Sequence, residues 1–132
     1  MDRLLIDTDV FSFFFKRDSR RGLYVDDVMG RQLCLSFMSV AELRKWAIVR
    51  NWGRQRRVRL GETLRHYVIL PCDDAMAQHR AEISAHRQRQ GKPISCGDCW
   101  IAASALRHDL PLASHNAEHC VDIPGLRVVS HR

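Results

Sequence analysis

Asp7, Glu42 and Asp98 stand where a chain of this kind does chemistry. Asp7 ends the opening apolar run Leu4-Leu5-Ile6 and is followed by Thr8 and Asp9. Such a run reads as a buried strand of a parallel sheet. A carboxylate at its C-terminal end lies on the edge where open α/β sheets place their ligands. Burying that charge is costly without a partner, and a cation is the simplest one. Glu42 reads as part of the first turn of the helix after the second strand, and Asp98 as part of the first turn of a helix from Cys96. Glu118 follows the fourth strand. Strand C-termini and the helix N-termini after them share one edge of a parallel sheet. Asp7, Glu42 and Asp98, with Glu118 as a further ligand, are therefore expected to meet in one acidic pocket. Carboxylates gathered in this way repel each other, and a hard divalent cation relieves the repulsion. Mg²⁺ or Mn²⁺, held through oxygen ligands, suits the set. Such a metal activates water and stabilises the leaving oxygen in phosphodiester hydrolysis.

Taken singly, each residue also fits a plainer role. Ser39-Val40-Ala41-Glu42 has the form of a capping box, and Ser95-Cys96-Gly97-Asp98 has a similar shape. Acidic residues in a first helical turn complement the helix dipole. Asp9 either supports the ligands or caps the first helix. The metal reading rests on the combination.

The elements that must position these residues alternate along the chain. Strand Leu4–Asp7 runs into a helix carrying Val10, Phe11, Phe14 and Phe15, and Leu23–Met29 reads as a second short helix. Leu33–Ser36 is a strand, Met38–Val49 a helix, and Arg54–Tyr67 a basic helix after the Asn51-Trp52-Gly53 break. Val68–Leu70 is a third strand. Asp73–Gln90 is a helix with Ala77, Ala81, Ile83 and Ser84 on its buried side. Gly91-Lys92-Pro93 turns the chain into a buried helix, Cys96–Arg107. Leu112-Ala113-Ser114 and Arg127-Val128-Val129 are the last strands. This alternation implies βαβ units and a mostly parallel sheet of four to five strands.

The totals bound the answer. With 132 residues, a single domain over 1–132 is expected. A hydrophobic fraction of 45% is that of a globular protein. The longest apolar run, Val10 to Phe15, is interrupted by Ser12 and is far short of the ~20 residues that span a bilayer. A cytoplasmic protein without membrane contact is expected, and its five cysteines are expected to be free thiols. The net charge is +6, and only Lys16, Lys45 and Lys92 among the 21 basic residues are Lys. Arg grips phosphates with a planar fork. Arg50, Arg54, Arg56, Arg57, Arg59 and Arg65 form the densest run. Arg54, Arg56 and Arg57 are the expected RNA-contacting side chains, against the plainer reading of a solvated helix face.

The chain resembles the PIN-domain ribonucleases, specifically the VapC-type toxins of toxin–antitoxin pairs, nearly end to end. The resemblance rests on Leu5-Ile6-Asp7-Thr8, on Ser39-Val40-Ala41-Glu42-Leu43, and on the helix Asp98-x-x-Ile101-Ala102-Ala103. It also rests on the tail Ser114-His115-Asn116-Ala117-Glu118-His119 with Ile123-Pro124-Gly125-Leu126. It implies a PIN-like three-layer α/β/α domain and a metal-dependent endoribonuclease in which Asp7, Glu42 and Asp98 carry the metal. It implies a homodimer and a cognate antitoxin whose segment covers the acidic site. In the family a fourth acid often follows Asn in the last motif, where this chain has His119 beside Glu118. That departure leaves the fourth ligand open between Glu118, His119 and none, and a missing acid favours one tightly bound metal over two. Asn116 would hold the site through hydrogen bonds. Thr8 and Ser114 would orient water or phosphate, or simply cap the next turns.

Competing patterns are weaker. Cys96-x-x-Cys99 followed by His115-x-x-x-His119 approaches a zinc spacing, but an intervening α/β core does not suit a finger. Asp7-Thr8-Asp9 resembles the nucleophile motif of haloacid-dehalogenase-type phosphatases, yet Val10-Phe11 stands where Gly-Thr is expected. A non-catalytic nucleic-acid-binding or regulatory module with the same fold is the alternative from another class. The four phenylalanines near residue 13 are too many for one inward face, and Phe13 is the expected interface residue.

Overall fold

The computed structural model describes residues 2–131. Strand β1 (Arg3–Ile6) lies at the centre of a five-stranded sheet of order β3-β2-β1-β4-β5. The others are β2 (Gln32–Ser36), β3 (Val68–Leu70), β4 (Leu112–Ala113) and β5 (Val128–Val129), and every pairing is parallel. Leu5 stands between Cys34 on one side and Leu112 on the other, and Ile6 pairs with Ala113. A strand paired on both edges and covered on both faces has no polar side, which is why Leu4, Leu5 and Ile6 are all fully buried.

The two-residue period of the strands divides the core. Leu4, Ile6, Leu35 and Ala113 point into one cluster; Leu5, Cys34, Leu70 and Leu112 point into the other. The first cluster is closed by α1 (Thr8–Phe15), α3 (Phe37–Val49) and α4 (Arg54–Leu64), through Val10, Phe11, Leu43, Ala47, Leu60 and Leu64. The second is closed by α5 (Asp74–Arg89) and α6 (Cys96–His108), through Met76, Ile83, Cys99, Ile101 and the alanines of α6. The fold is therefore the expected three-layer α/β/α sandwich, with a sheet that is wholly parallel.

Several local expectations are corrected. Leu23–Met29 is not one helix: Ser19–Leu23 forms a 3-10 turn, and α2 spans only Val25–Val28. The basic helix stops at Leu64, because the amides of Arg65, His66 and Tyr67 bond three residues back and tighten the chain out of the helix. In α5, Ala77 and Ala81 are exposed, and Met76, Ile83 and Arg87 face inward. Alanine spacing does not choose a face; the larger Met76 and Ile83 do. Phe13 is not a surface residue. The 3-10 turn folds back over α1, so Phe13 meets Tyr24 and His115, and the Arg20 guanidinium lies 4.3 Å from its ring centre. Phe14 is the one left half-buried.

Arg87 has a structural role that no sequence pattern announced. It is buried, donating to Lys92 O (2.8 Å), His119 O (2.9 Å) and Asp122 Oδ1 (3.0 Å), and so fastens α5 to the loop after β4. Arg87→Ala is expected to lower the unfolding free energy by about 3 kcal/mol, because two carbonyls and a carboxylate lose their donor. Arg87→Lys should recover only part, since one ammonium cannot span all three acceptors. Urea denaturation of the two variants measures this, and a loss below ~1 kcal/mol for Arg87→Ala would contradict the role.

Candidate active site

The end of β1 and the start of α1 place the first carboxylate. The Asp7 amide donates to Ala113 O across the sheet (3.0 Å), which fixes the backbone as extended chain. Its side chain then caps α1 by accepting from the Val10 amide at 2.8 Å. The residue is 9% exposed, and a hydrogen bond from Ser114, just past the end of β4, also reaches its carboxylate. Burial outweighs these bonds, with Asp9 and Asp98 adding like-charge repulsion, and lifts its pKa from 3.8 to about 6.

Thr8 joins the second carboxylate to the first. Thr8 Oγ1 donates to Glu42 Oε1 at 2.8 Å and lies 2.9 Å from the buried Ser39 Oγ. Glu42 is not in a capping box. Helix α3 begins at Phe37 with Ser36 as its cap, so Glu42 falls in the second turn and Ser39 is a buried packing residue. The one-turn shift points both side chains at the start of α1. Burial, reinforced by Asp98 and Asp9, raises the Glu42 pKa, while the Thr8 bond opposes it.

Asp98 is in the first turn of α6 as expected, with Ser95 Oγ accepting its amide at 3.2 Å. Two features bring this turn to Glu42. Ser104 Oγ donates to Ser36 Oγ at 2.9 Å, tying α6 to the cap of α3. Gly97 has no side chain: a Cβ there would stand 3.1 Å from Glu42 Oε2. Sequence reading passed over Ser36, Ser104 and Gly97, whose roles are pairwise and invisible along the chain.

The loop after β4 completes the site. Asn116 Nδ2 donates to Asp9 Oδ2 at 2.8 Å, and the Asn116 amide lies 3.3 Å from Ser114 Oγ. His119 Nδ1 lies 3.2 Å from Asp98 Oδ2. Asp7, Asp98, Ser114, Asn116, His119 and Cys120 line one small pocket, with Glu42 alongside across Gly97. Glu118 is exposed on the same turn, outside the lining. Among the described residues, no three His, Cys, Asp or Glu side chains already converge as a ligand group; each carboxylate is held by its neighbour.

A larger groove on α4 is lined by Lys16, Arg54, Arg56, Arg59, Val58 and Glu62. The Arg56 guanidinium stacks 4.0 Å over Trp52, and that of Arg59 4.1 Å over Phe15. Arg57 is engaged differently. Its Nε donates to Trp52 O (2.8 Å) and an Nη to Ala47 O (3.0 Å), satisfying the carbonyls at the end of α3.

Comparison with known proteins agrees with this geometry. The family model described as "PIN domain" matches residues 4–121. Toxin FitB of Neisseria gonorrhoeae is 30% identical over 122 residues, covering 86% of this chain and 87% of that protein. VapC ribonuclease Y4jK of Sinorhizobium fredii is 31% identical over 121 residues, covering 86% of each. Among solved structures, FitAcB from Neisseria gonorrhoeae superposes with a TM-score of 0.77 at 27% identity, over 95% of both chains. VapBC2 from Rickettsia felis, bound to a DNA fragment from its promoter, reaches 0.85 over 98% of this chain and 99% of that one. At 17% identity that likeness shows the fold alone.

The raised pKa of Asp7 has a measurable consequence. The folded protein holds this proton more tightly than the unfolded chain, so the contribution of Asp7 to stability is fully present below pH ~4 and is lost as pH rises through about 6. Asp7→Asn keeps a capping oxygen without the charge. In EDTA it should be more stable than the parent at pH 7.5 by up to about 3 kcal/mol, with the gap closing below pH ~4. Denaturation curves across that range test it, and a pH-independent gap would refute the assignment.

Proposed function

Since the chain belongs to the PIN domain family and is a VapC-type toxin, we propose that it is an endoribonuclease acting through Asp7, Glu42 and Asp98. The observation that carries the reading is the buried Asp7 carboxylate, raised to about 6 by burial and by its acidic neighbours. A donor set of this chemistry fits a hard divalent cation, which neutralises the mutual repulsion. Asp7, Glu42 and Asp98 would hold Mg²⁺ or Mn²⁺, which when bound supplies the Lewis acidity for hydrolysis of a phosphodiester.

The chain's own residues do the positioning. Thr8 fixes the rotamer of Glu42 by donating to Oε1, the Val10 amide and Ser114 fix Asp7, and Ser95 anchors the turn that carries Asp98. Asn116 holds Asp9 beside them, tying the loop after β4 to α1. RNA is drawn towards this edge by the positive field, with Arg54 and Arg56 as its contacts; Arg57 is committed to the end of α3.

The partners are a cognate antitoxin and a second copy of the chain. The solved FitAcB assembly, at 27% identity, supports the first. Exposed Ile48 (64%) and Val49 (67%) at the end of α3 support a face that is covered in an assembly. Among the described residues no helix is long and apolar enough to cross a membrane.

Asp7→Asn and Asp98→Asn should each slow cleavage of RNA in Mg²⁺ or Mn²⁺ by roughly a hundredfold or more. Sequencing RNA 5′ ends after expression of the parent and of Asp98→Asn reads this directly. Equal cutting by a folded Asp7→Asn variant would refute the site. Arg54→Ala is expected to weaken RNA binding and reduce its salt slope by about one, whereas Arg57→Ala should lower thermal stability instead. Binding titrations at several salt concentrations, paired with melting curves, separate the two.

A further inference from the structure

The imidazole of His119 stands at the acidic pocket beside Asp98, Nδ1 to Oδ2 at 3.2 Å, and lines it together with Asp7. Its backbone is held from both sides. The amide donates to Asn116 O at 3.0 Å, and the carbonyl accepts from Arg87 at 2.9 Å. The side chain is 53% exposed, and an exposed His–Asp pair contributes little to stability. A role in holding the fold together therefore does not account for its placement.

Other donors nearby are less suited to a ligand role. Glu118 lies outside the lining. The Cys120 thiol lines the pocket but is buried, and burial with the charges of Asp98 and Asp7 pushes its pKa up to about 11. Its soft sulfur is also a poor match for Mg²⁺ or Mn²⁺. What the pocket adds to its carboxylates is a nitrogen donor. Mg²⁺ takes oxygen ligands, whereas first-row ions also accept imidazole.

We propose that His119 is a nitrogen ligand of the acidic pocket and shifts its metal preference from Mg²⁺ towards Mn²⁺. The proposal rests on the reading of Asp7, Glu42 and Asp98 as the cation site. Asp98 and His119, now in contact with each other, would both hold the ion, the imidazole through a ring nitrogen.

The test uses the full chain stripped of metal, with Mn²⁺ alone as the probe. Free Mn²⁺ is followed by electron paramagnetic resonance, Mg²⁺ is added as competitor, and bound Mn²⁺ is examined for coupling to ¹⁴N. The parent should show ¹⁴N coupling that disappears in His119→Asp and His119→Ala. His119→Ala should bind Mn²⁺ about tenfold more weakly or worse. His119→Asp should move the Mn²⁺/Mg²⁺ affinity ratio towards Mg²⁺ by about tenfold. Asp7→Asn in the same assay separates the two levels. If it abolishes binding while the His119 variants keep the parent's ratio and ¹⁴N signal, the His119 proposal alone is overturned. If Asp7→Asn binds Mn²⁺ like the parent, or the parent binds none, the carboxylate reading falls and the proposal with it.

Discussion

The proposed active site depends on a carboxylate buried at the end of the central strand. Asp7 cannot leave, because its amide is in the sheet ladder and its side chain caps α1. It cannot be hydrated well either, at 9% exposure. The cap and Ser114 offset part of the cost, and the rest appears as a pKa near 6. A fold built for stability alone would place an Asn here. Keeping Asp stores an electrostatic strain that a bound cation would relieve, and the proposed function uses that strain.

The second constraint is spacing, set by small groups rather than by acids. Ser36 accepts from α6 and caps α3, so the helices carrying Glu42 and Asp98 share one hydroxyl. Gly97 lets the start of α6 approach Glu42. Thr8 carries the link back to β1. Each contact is worth little alone, but together they fix three elements to each other at one edge of the sheet. The candidate site is a matter of which helix start meets which strand end, and the parallel topology puts those ends on one edge.

The basic side of the chain shows a different economy. Arg56 and Arg59 lie flat on Trp52 and Phe15, and Arg57 satisfies carbonyls at the end of α3. An arginine stem covering an aromatic ring hides apolar area and keeps its charge near solvent. The same residues thus hold α4 against α1 and α3 and present a positive groove. Composition showed the charge; it did not show that one of these residues was already occupied.

The sequence by itself determined the fold class, the strand count and order of elements, and the candidate carboxylates, because these follow from local periodicity and from the edge that parallel strands share. Even β3 was legible to the residue, as Val68–Leu70. What it misjudged was phase. A Ser–Glu spacing looked like a cap at Ser39, yet Ser36 is the cap, since only the packing of Ser104 against it tells one serine from another. Phe13 looked free because the turn that covers it comes from another segment. Whether Glu118 or His119 faces the pocket was equally undecided along the chain. The tertiary structure placed His119 there, because Arg87, thirty-two residues away, holds that turn by its carbonyl. Pattern along a chain fixes which elements form, and contacts between distant residues fix which side chain each element turns inward.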